Sequence, residues 1–347
     1  MTLTFSYEIG QVKVLNKYCN LQELIMRMEN TYLRYFNDEY FAGFKNLKEL
    51  RIFGMERIDA EWLKSLHNLE LLELTGSIRN ISVLETLPKL SKILFKRGKF
   101  RHLDELTLFN NLREVAFISN TPCHYDTNQI QLLSKFGSNL TTLKISKHII
   151  GMVGAECISK LISLTNLEIS FGGITESGAR KLCKLTNLHS LTITYDTIEG
   201  GTSHLIDSLP HLTHLDLTRN YIFDNHIRNI SKLKNLTSLI LDVNRISSLD
   251  EISKLETLNC LKLSGNHIKD VKPLSGMKFL RILSLSGNYI MPNTKYGLSL
   301  GLASSNIGDE GAKHLASIPT LIELDLEEAN LTEEGIALLS NIKTLKV

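Results

Sequence analysis

Ser190, His214 and Asp216 come nearest to a nucleophile, a base and an acid in this sequence. His214 and Asp216 stand two residues apart, so on an extended strand both side chains point to the same side. Ser190 precedes His214 by 24 residues, a spacing that recurs along the chain and sets the serine beside the histidine on the preceding strand. No Gly-x-Ser-x-Gly turn and no evident oxyanion-binding segment accompanies them. Catalysis is therefore not expected, and a hydrolase is a distant third reading. His204, His211 and His214 could suggest a metal, but they fall at different positions of the recurring unit and should face different ways. No acidic or thiol ligand stands at a suitable spacing, so no metal is expected. Neither a Gly-x-x-x-x-Gly-Lys-Ser/Thr phosphate loop nor a dinucleotide fingerprint occurs, and no cofactor is expected.

The remaining composition narrows the classes further. The five cysteines, Cys19, Cys123, Cys157, Cys183 and Cys260, are dispersed and odd in number, which fits reduced thiols in a cytosol-like compartment. The net charge is only +2, against the strong basic excess of a global nucleic-acid binder. No apolar run approaches the roughly 18 residues of a membrane span, and residues 1–8 lack the pattern of a secretory signal.

The elements that must position these residues come from a repeat. Leucine occurs 61 times in 347 residues. The template LxxLxLxxNxI is filled in every slot by Leu236-Leu239-Leu241-Asn244-Ile246, and again from Leu212, Leu258 and Leu280. Looser copies begin at Leu21, Leu47, Leu69, Leu90, Leu112, Leu140, Leu164, Leu188, Gly297 and Leu321. The LxL core alternates with period two, so its leucines point into the body and the residues between them point out. Asparagine suits the turn that follows, because its amide both donates to and accepts from buried backbone groups. Asn120, Asn220, Asn244, Asn266 and Asn288 hold that slot. His148 and Asp196 depart from it and read as hydrogen-bonded structural groups. After Ile150, Ile174, Ile307 and Leu331 the spacing predicts helices, with Thr175 and Thr332 as N-caps. After Ile246 and Ile268 the apolar residues come every third position, which favours 3₁₀ turns.

These motifs resemble the leucine-rich-repeat family over nearly the whole chain from Leu21. The helical copies are similar to the ribonuclease-inhibitor type, and the 22-residue copies to those of bacterial internalins and phosphatase regulators. The resemblance implies an α/β solenoid, a horseshoe with a concave parallel sheet of about fourteen strands and a convex face of helices and 3₁₀ turns. Residues 1–20 do not fit the template and are expected to cap the solenoid, which occupies 21–347 and is open or truncated at its C-terminal end. The step from Leu280 to Gly297, 17 residues, is too short for a helical return and is expected to run directly through 291–296.

In this family the outward strand residues form the usual binding face. That implies a partner site including Phe53, Leu71, Leu94 and Ile118, with Lys92, Lys96 and Arg97 beside them as a basic cluster suited to an acidic protein partner. Phe171, Tyr195, His214, Asp216 and Arg219 continue the face. Glu323, Asp325, Glu327 and Glu328 make its far end acidic. The expected function is non-catalytic protein–protein recognition by a monomer. Lysine outnumbers arginine 26 to 13 and isoleucine occurs 33 times, as in AT-rich genomes. With the mixed repeats, this resembles leucine-rich-repeat effectors that intracellular bacterial pathogens deliver into host cells without a classical signal peptide. The alternative is a cytosolic scaffold or regulatory subunit with a partner in its own cell.

Overall fold

The computed structural model describes residues 2–6, 19–27, 38–55, 57–97, 103–106, 109–124, 127–288, 307–327 and 329–345. The chain forms two compact units, 1–172 and 173–347.

In the first unit the strands pair in parallel. They are β1 (Thr2–Ser6), β2 (Glu23–Arg27), β3 (Glu49–Phe53), β4 (Arg57–Asp59), β5 (Leu71–Thr75), β6 (Ser77–Arg79), β7 (Lys92–Lys96), β8 (Glu114–His124), β9 (Thr142–Ile149) and β10 (Asn166–Ser170). All but β4 and β6, which pair with each other, lie in one sheet in chain order. Within residues 1–20, β1 pairs in parallel with β2, Thr2 opposite Glu23. Returns use 3₁₀ turns at Ala60–Leu63 and Ile81–Thr86, and helices α1 (Leu103–Leu106), α2 (Thr127–Gln131) and α3 (Gly151–Ile158).

The second unit carries β11 (Ser190–Thr194), β12 (His214–Asp216), β13 (Ser238–Ile240), β14 (Cys260–Lys262), β15 (Ile282–Ser284) and β16 (Glu323–Asp325). Its returns are α4 (Glu176–Leu182), α5 (Gly201–Ser208), α6 (Asp224–Ile230), α7 (Gly308–Ala316) and α8 (Glu333–Leu339). Where the apolar spacing is three, 3₁₀ turns form at Ile252–Lys254 and Lys272–Gly276. Thr332 caps α8 by accepting from Glu334 N–H at 3.2 Å, whereas Thr175 makes no side-chain capping bond. Among the described residues no helix is long and apolar enough to cross a membrane.

The core is the leucine ladder. Leu236, Leu239, Leu241, Ile246, Leu249, Ile252 and Leu255 of one repeat are all buried, each stabilising the fold by about 2 kcal/mol.

Two expectations need correction. The copy at Gly297 lies outside the described residues, and the strands on either side of it in sequence are immediate neighbours in the sheet. β15 pairs directly with β16, Ile282 opposite Glu323, and Leu285 N–H donates to Asp325 O at 2.9 Å. The edge of β15 on that side is thus already occupied by a strand 41 positions downstream. Ile307, buried, leads into the α7 return. Ile290 and the expected direct run 291–296 lie outside the described residues. The second correction is Asn120. It is exposed, because β8 continues through it to His124 rather than turning.

Candidate functional site

The turn slot fixes where each strand ends. Asn244 donates to Leu217 O and Leu241 O, both at 2.9 Å, and its Oδ1 accepts from Asn220 N–H and Ile222 N–H, both at 3.0 Å. Asn266 and Asn288 accept from Ile246 N–H (3.1 Å) and Ile268 N–H (3.0 Å) in the same way, and Asn220 donates to Ile193 O at 2.5 Å. Asp196 takes over the acceptor role, receiving Ile174 N–H at 3.0 Å. His148, in the same slot, is fully buried with its ring edge-on to Phe117, and burial pushes its pKa down to about 4.

A second ladder runs at the opposite end of the strands, on the residue just before each first leucine. Asn46 donates to Cys19 O (2.9 Å), Asn68 to Lys45 O (2.7 Å) and Asn139 to Asn110 O (2.6 Å). Thr257 donates to Leu236 O (2.7 Å) and Thr320 to Leu280 O (2.6 Å). Sequence reading missed it; the recurrent Asn-Leu pair was its signal.

With both strand ends pinned, outward residues align in rows. In the first unit one row runs Glu49, Leu71, Lys92, Glu114 and another Arg51, Glu73, Leu94, Ala116, Lys144, Glu168. The expected basic cluster is largely neutralised there. Lys96 pairs with the buried Glu73, and Lys92 lies 3.4 Å from Glu114. Arg51 bridges Glu23, Glu49 (2.7 Å) and Glu73 (3.1 Å). Arg97, exposed just past β7, has no ion pair among the described residues. Phe53 lies beneath Arg27 and Lys96, 5.3 and 5.7 Å from its ring centre. Leu71, Leu94 and Ile118 are half-buried on the outward face. Phe171 follows β10, with the Lys147 ammonium 5.8 Å above its ring.

In the second unit Ser190 stands opposite His214, as the spacing requires. The imidazole, however, contacts Thr213 Oγ1 through Nδ1 at 2.9 Å, and Asp216 accepts the Thr218 amide (2.9 Å) and hydroxyl (2.7 Å). The three groups are adjacent without a bonded relay. His204 contacts Arg180 at 3.2 Å, and His211 stacks on His189, so the histidine trio does not converge. Burial raises the pKa of Asp242, against the opposing bond from Ser264 N–H (2.7 Å). Glu323, Asp325 and Glu327 are exposed at β16, and Glu328 lies outside the described residues.

Just past the strands one position adopts left-handed backbone repeatedly. It is glycine at Gly265 (φ 67°) and Gly287 (φ 60°), but Tyr195 (58°), Arg219 (56°) and Val243 (55°) in the preceding repeats. A non-glycine residue there costs on the order of 1–2 kcal/mol, and a β-branched one is an outlier. Val243→Gly is therefore expected to raise stability by about 1 kcal/mol after the entropy cost of glycine, read as a higher urea midpoint. Tyr221 (φ 58°) is strained in the same way. Tyr195, Tyr221 and Val243 are exposed at 39%, 43% and 49%. Arg219 lies 5.3 Å above the Tyr195 ring, and Arg245 lies 5.1 Å from Tyr221 and 5.3 Å from Phe223. Sequence reading placed Tyr195 and Arg219 on the outward face and did not single out Tyr221, Phe223, Val243 and Arg245. Strand alternation does not extend past the strand end, where these residues stand.

Parallel strands returned by helices and 3₁₀ turns, closed by an asparagine ladder, are the architecture of the leucine-rich-repeat fold. A family model described as Leucine Rich repeat matches residues 208–226. No curated protein matches the chain in sequence. Among solved structures it resembles an internalin, InlF, of Listeria monocytogenes, with a TM-score of 0.61 at 20% identity over 89% of this chain and 82% of that one. A leucine-rich-repeat protein of Leptospira interrogans aligns with a TM-score of 0.57 at 18% identity, over 100% of this chain and 90% of that one. The plant peptide hormone receptor RGFR1, solved in complex with RGF2, aligns with a TM-score of 0.50 at 16% identity, over 99% of this chain and 60% of that one.

Proposed function

We propose that this chain is a non-catalytic recognition protein that binds a protein partner across the outward face of its strands, as a bacterial effector acting on a host protein. The observation that carries the recognition reading is the presentation of that face. Inward side chains are buried while outward ones, mixed apolar, aromatic and charged, stand in register on hydrogen-bonded strands. A rigid platform lowers the ordering cost of association, and aromatic residues with arginine are the types that dominate protein interfaces. The lysine- and isoleucine-rich composition and mixed repeat types support the bacterial setting.

The test is photo-crosslinking with a benzoyl-phenylalanine placed at Leu94 or Ile118, against the return-side positions Lys181 and Lys313. A discrete adduct from host lysate at the strand positions alone is expected, and Arg97→Glu should weaken it chiefly at low salt. Adducts formed only from the return side would overturn the site. An adduct formed only with lysate of the source cell would favour a scaffold over an effector.

A further inference from the structure

We propose that the strand-end rim of the second unit, formed by Tyr195, Arg219, Tyr221, Phe223 and Arg245, is a carboxylate clamp that grips an acidic segment of a protein partner. The inference rests on the recognition reading above and names the chemistry of what is recognised.

Three observations converge on the rim. The first is the state of the two arginines. Both are exposed, each lies over an aromatic ring at 5.1–5.3 Å, and among the described residues neither side chain has an ion pair or hydrogen bond. Stacking engages the face of a guanidinium and leaves its in-plane N–H groups for a bidentate acceptor, the geometry of a carboxylate. The second is the occupation of the nearby acids. Asp216 is held by Thr218, Asp242 by Ser264 N–H, and Asp224 by Ser247 N–H (2.9 Å) and Ser248 N–H (3.1 Å). Each acid is held in place by amides of its own neighbourhood, and none of the three forms an ion pair with Arg219 or Arg245. The third is the backbone. Tyr195, Arg219 and Tyr221 stand in left-handed conformations, and Asn244 holds the segment around the last two by accepting Asn220 N–H and Ile222 N–H. The conformation recurs past the strands of this unit, and here it presents the ring and the guanidinium side by side. In the first unit the comparable cations Lys92 and Lys96 are already paired with glutamates. The rim thus carries free positive charge with an aromatic backing.

The probe is a fluorescein-labelled octaglutamate peptide, titrated against the full chain by anisotropy, with octaglutamine and octalysine as controls. Octaglutamate is expected to bind, and the controls to bind more weakly. Arg219→Ala with Arg245→Ala should weaken octaglutamate by about ten-fold or more. Arg219→Lys with Arg245→Lys should lose most of the same affinity, because lysine keeps the charge but not the planar fork. Tyr195→Phe and Tyr221→Phe should retain it, since the ring face rather than the hydroxyl supports the guanidinium. Lys181→Glu on the return side should change nothing. Undiminished binding by the double alanine variant, with its melting midpoint unchanged, overturns the clamp. So does full retention by the double lysine variant, which would reduce the effect to general attraction for polyanions, or preferential binding of octalysine. If strand-face crosslinks to a partner persist while the rim variants bind octaglutamate normally, the rim assignment falls and the recognition reading stands. If octaglutamate binding follows the pattern above while strand-face crosslinks are absent, the broader reading falls instead.

Discussion

Replacing Asn244 by leucine is expected to cost about 4 kcal/mol, the largest effect of any single substitution considered for this chain. The side chain serves four backbone groups in the interior: Leu217 O and Leu241 O as acceptors, Asn220 N–H and Ile222 N–H as donors. Leucine has the same number and branching of side-chain heavy atoms, so the loss is chiefly one of hydrogen bonding. Each buried backbone group left unmade costs on the order of 1–3 kcal/mol, reduced where the repeat relaxes to admit water. Asn244→Asp keeps the acceptor role, as Asp196 does natively toward Ile174 N–H, and loses the bonds donated to Leu217 O, Leu241 O and Asp242 O. Its cost should fall between wild type and leucine. Urea unfolding midpoints read all three. Asn120→Leu provides the contrast. The side chain is exposed on an extended strand, so a change within about 0.5 kcal/mol is expected. Equal costs at positions 120 and 244 would dissociate the ladder from stability and sink the argument.

That contrast shows what the sequence could and could not reveal. The repeat was legible because the same leucine slots recur in phase, and period-two alternation then fixes which side chains point outward. The division between helical and 3₁₀ returns was legible from apolar spacing. Asn120 was misread because the template records residue types and not whether the strand stops; only the pairing of Cys123 with His148 reveals that it continues. The Gly297 copy was misread for a related reason. Its residues match the pattern locally, but which strand follows β15 is decided by hydrogen bonds to residues 41 positions later. The charge of the candidate site was the least legible feature. Lys92 and Lys96 form a basic cluster along the sequence, yet their neighbours across the sheet are glutamates 22–23 residues away in the chain. Conversely, Arg245 reads as one more surface cation until its ring partners Tyr221 and Phe223 are known.

His148 is expected to make the fold acid-sensitive in a narrow window. It occupies the buried slot that asparagine holds elsewhere, fully removed from solvent and edge-on to Phe117 at 6.4 Å between ring centres. Burial disfavours the imidazolium and pushes the pKa from 6.5 down to about 4. Between those values the unfolded chain binds a proton that the folded chain does not. Stability therefore rises with pH across the window, and the contribution is lost as pH falls from about 6.5 towards 4. The loss amounts to about 3 kcal/mol at the lower limit, taking roughly 1.4 kcal/mol for each unit of pKa displacement. Other groups titrate over the same range, His226 among them, whose pKa is also lowered by burial. The decisive quantity is thus the difference between wild type and His148→Asn, a change that puts the ladder residue into the slot and removes the proton site. Urea unfolding at a series of pH values should show the variant losing about 3 kcal/mol less than wild type between pH 6.5 and 4, with parallel curves above pH 7. Curves that stay parallel through the whole range would mean that His148 titrates alike in the folded and unfolded chains, contrary to its burial.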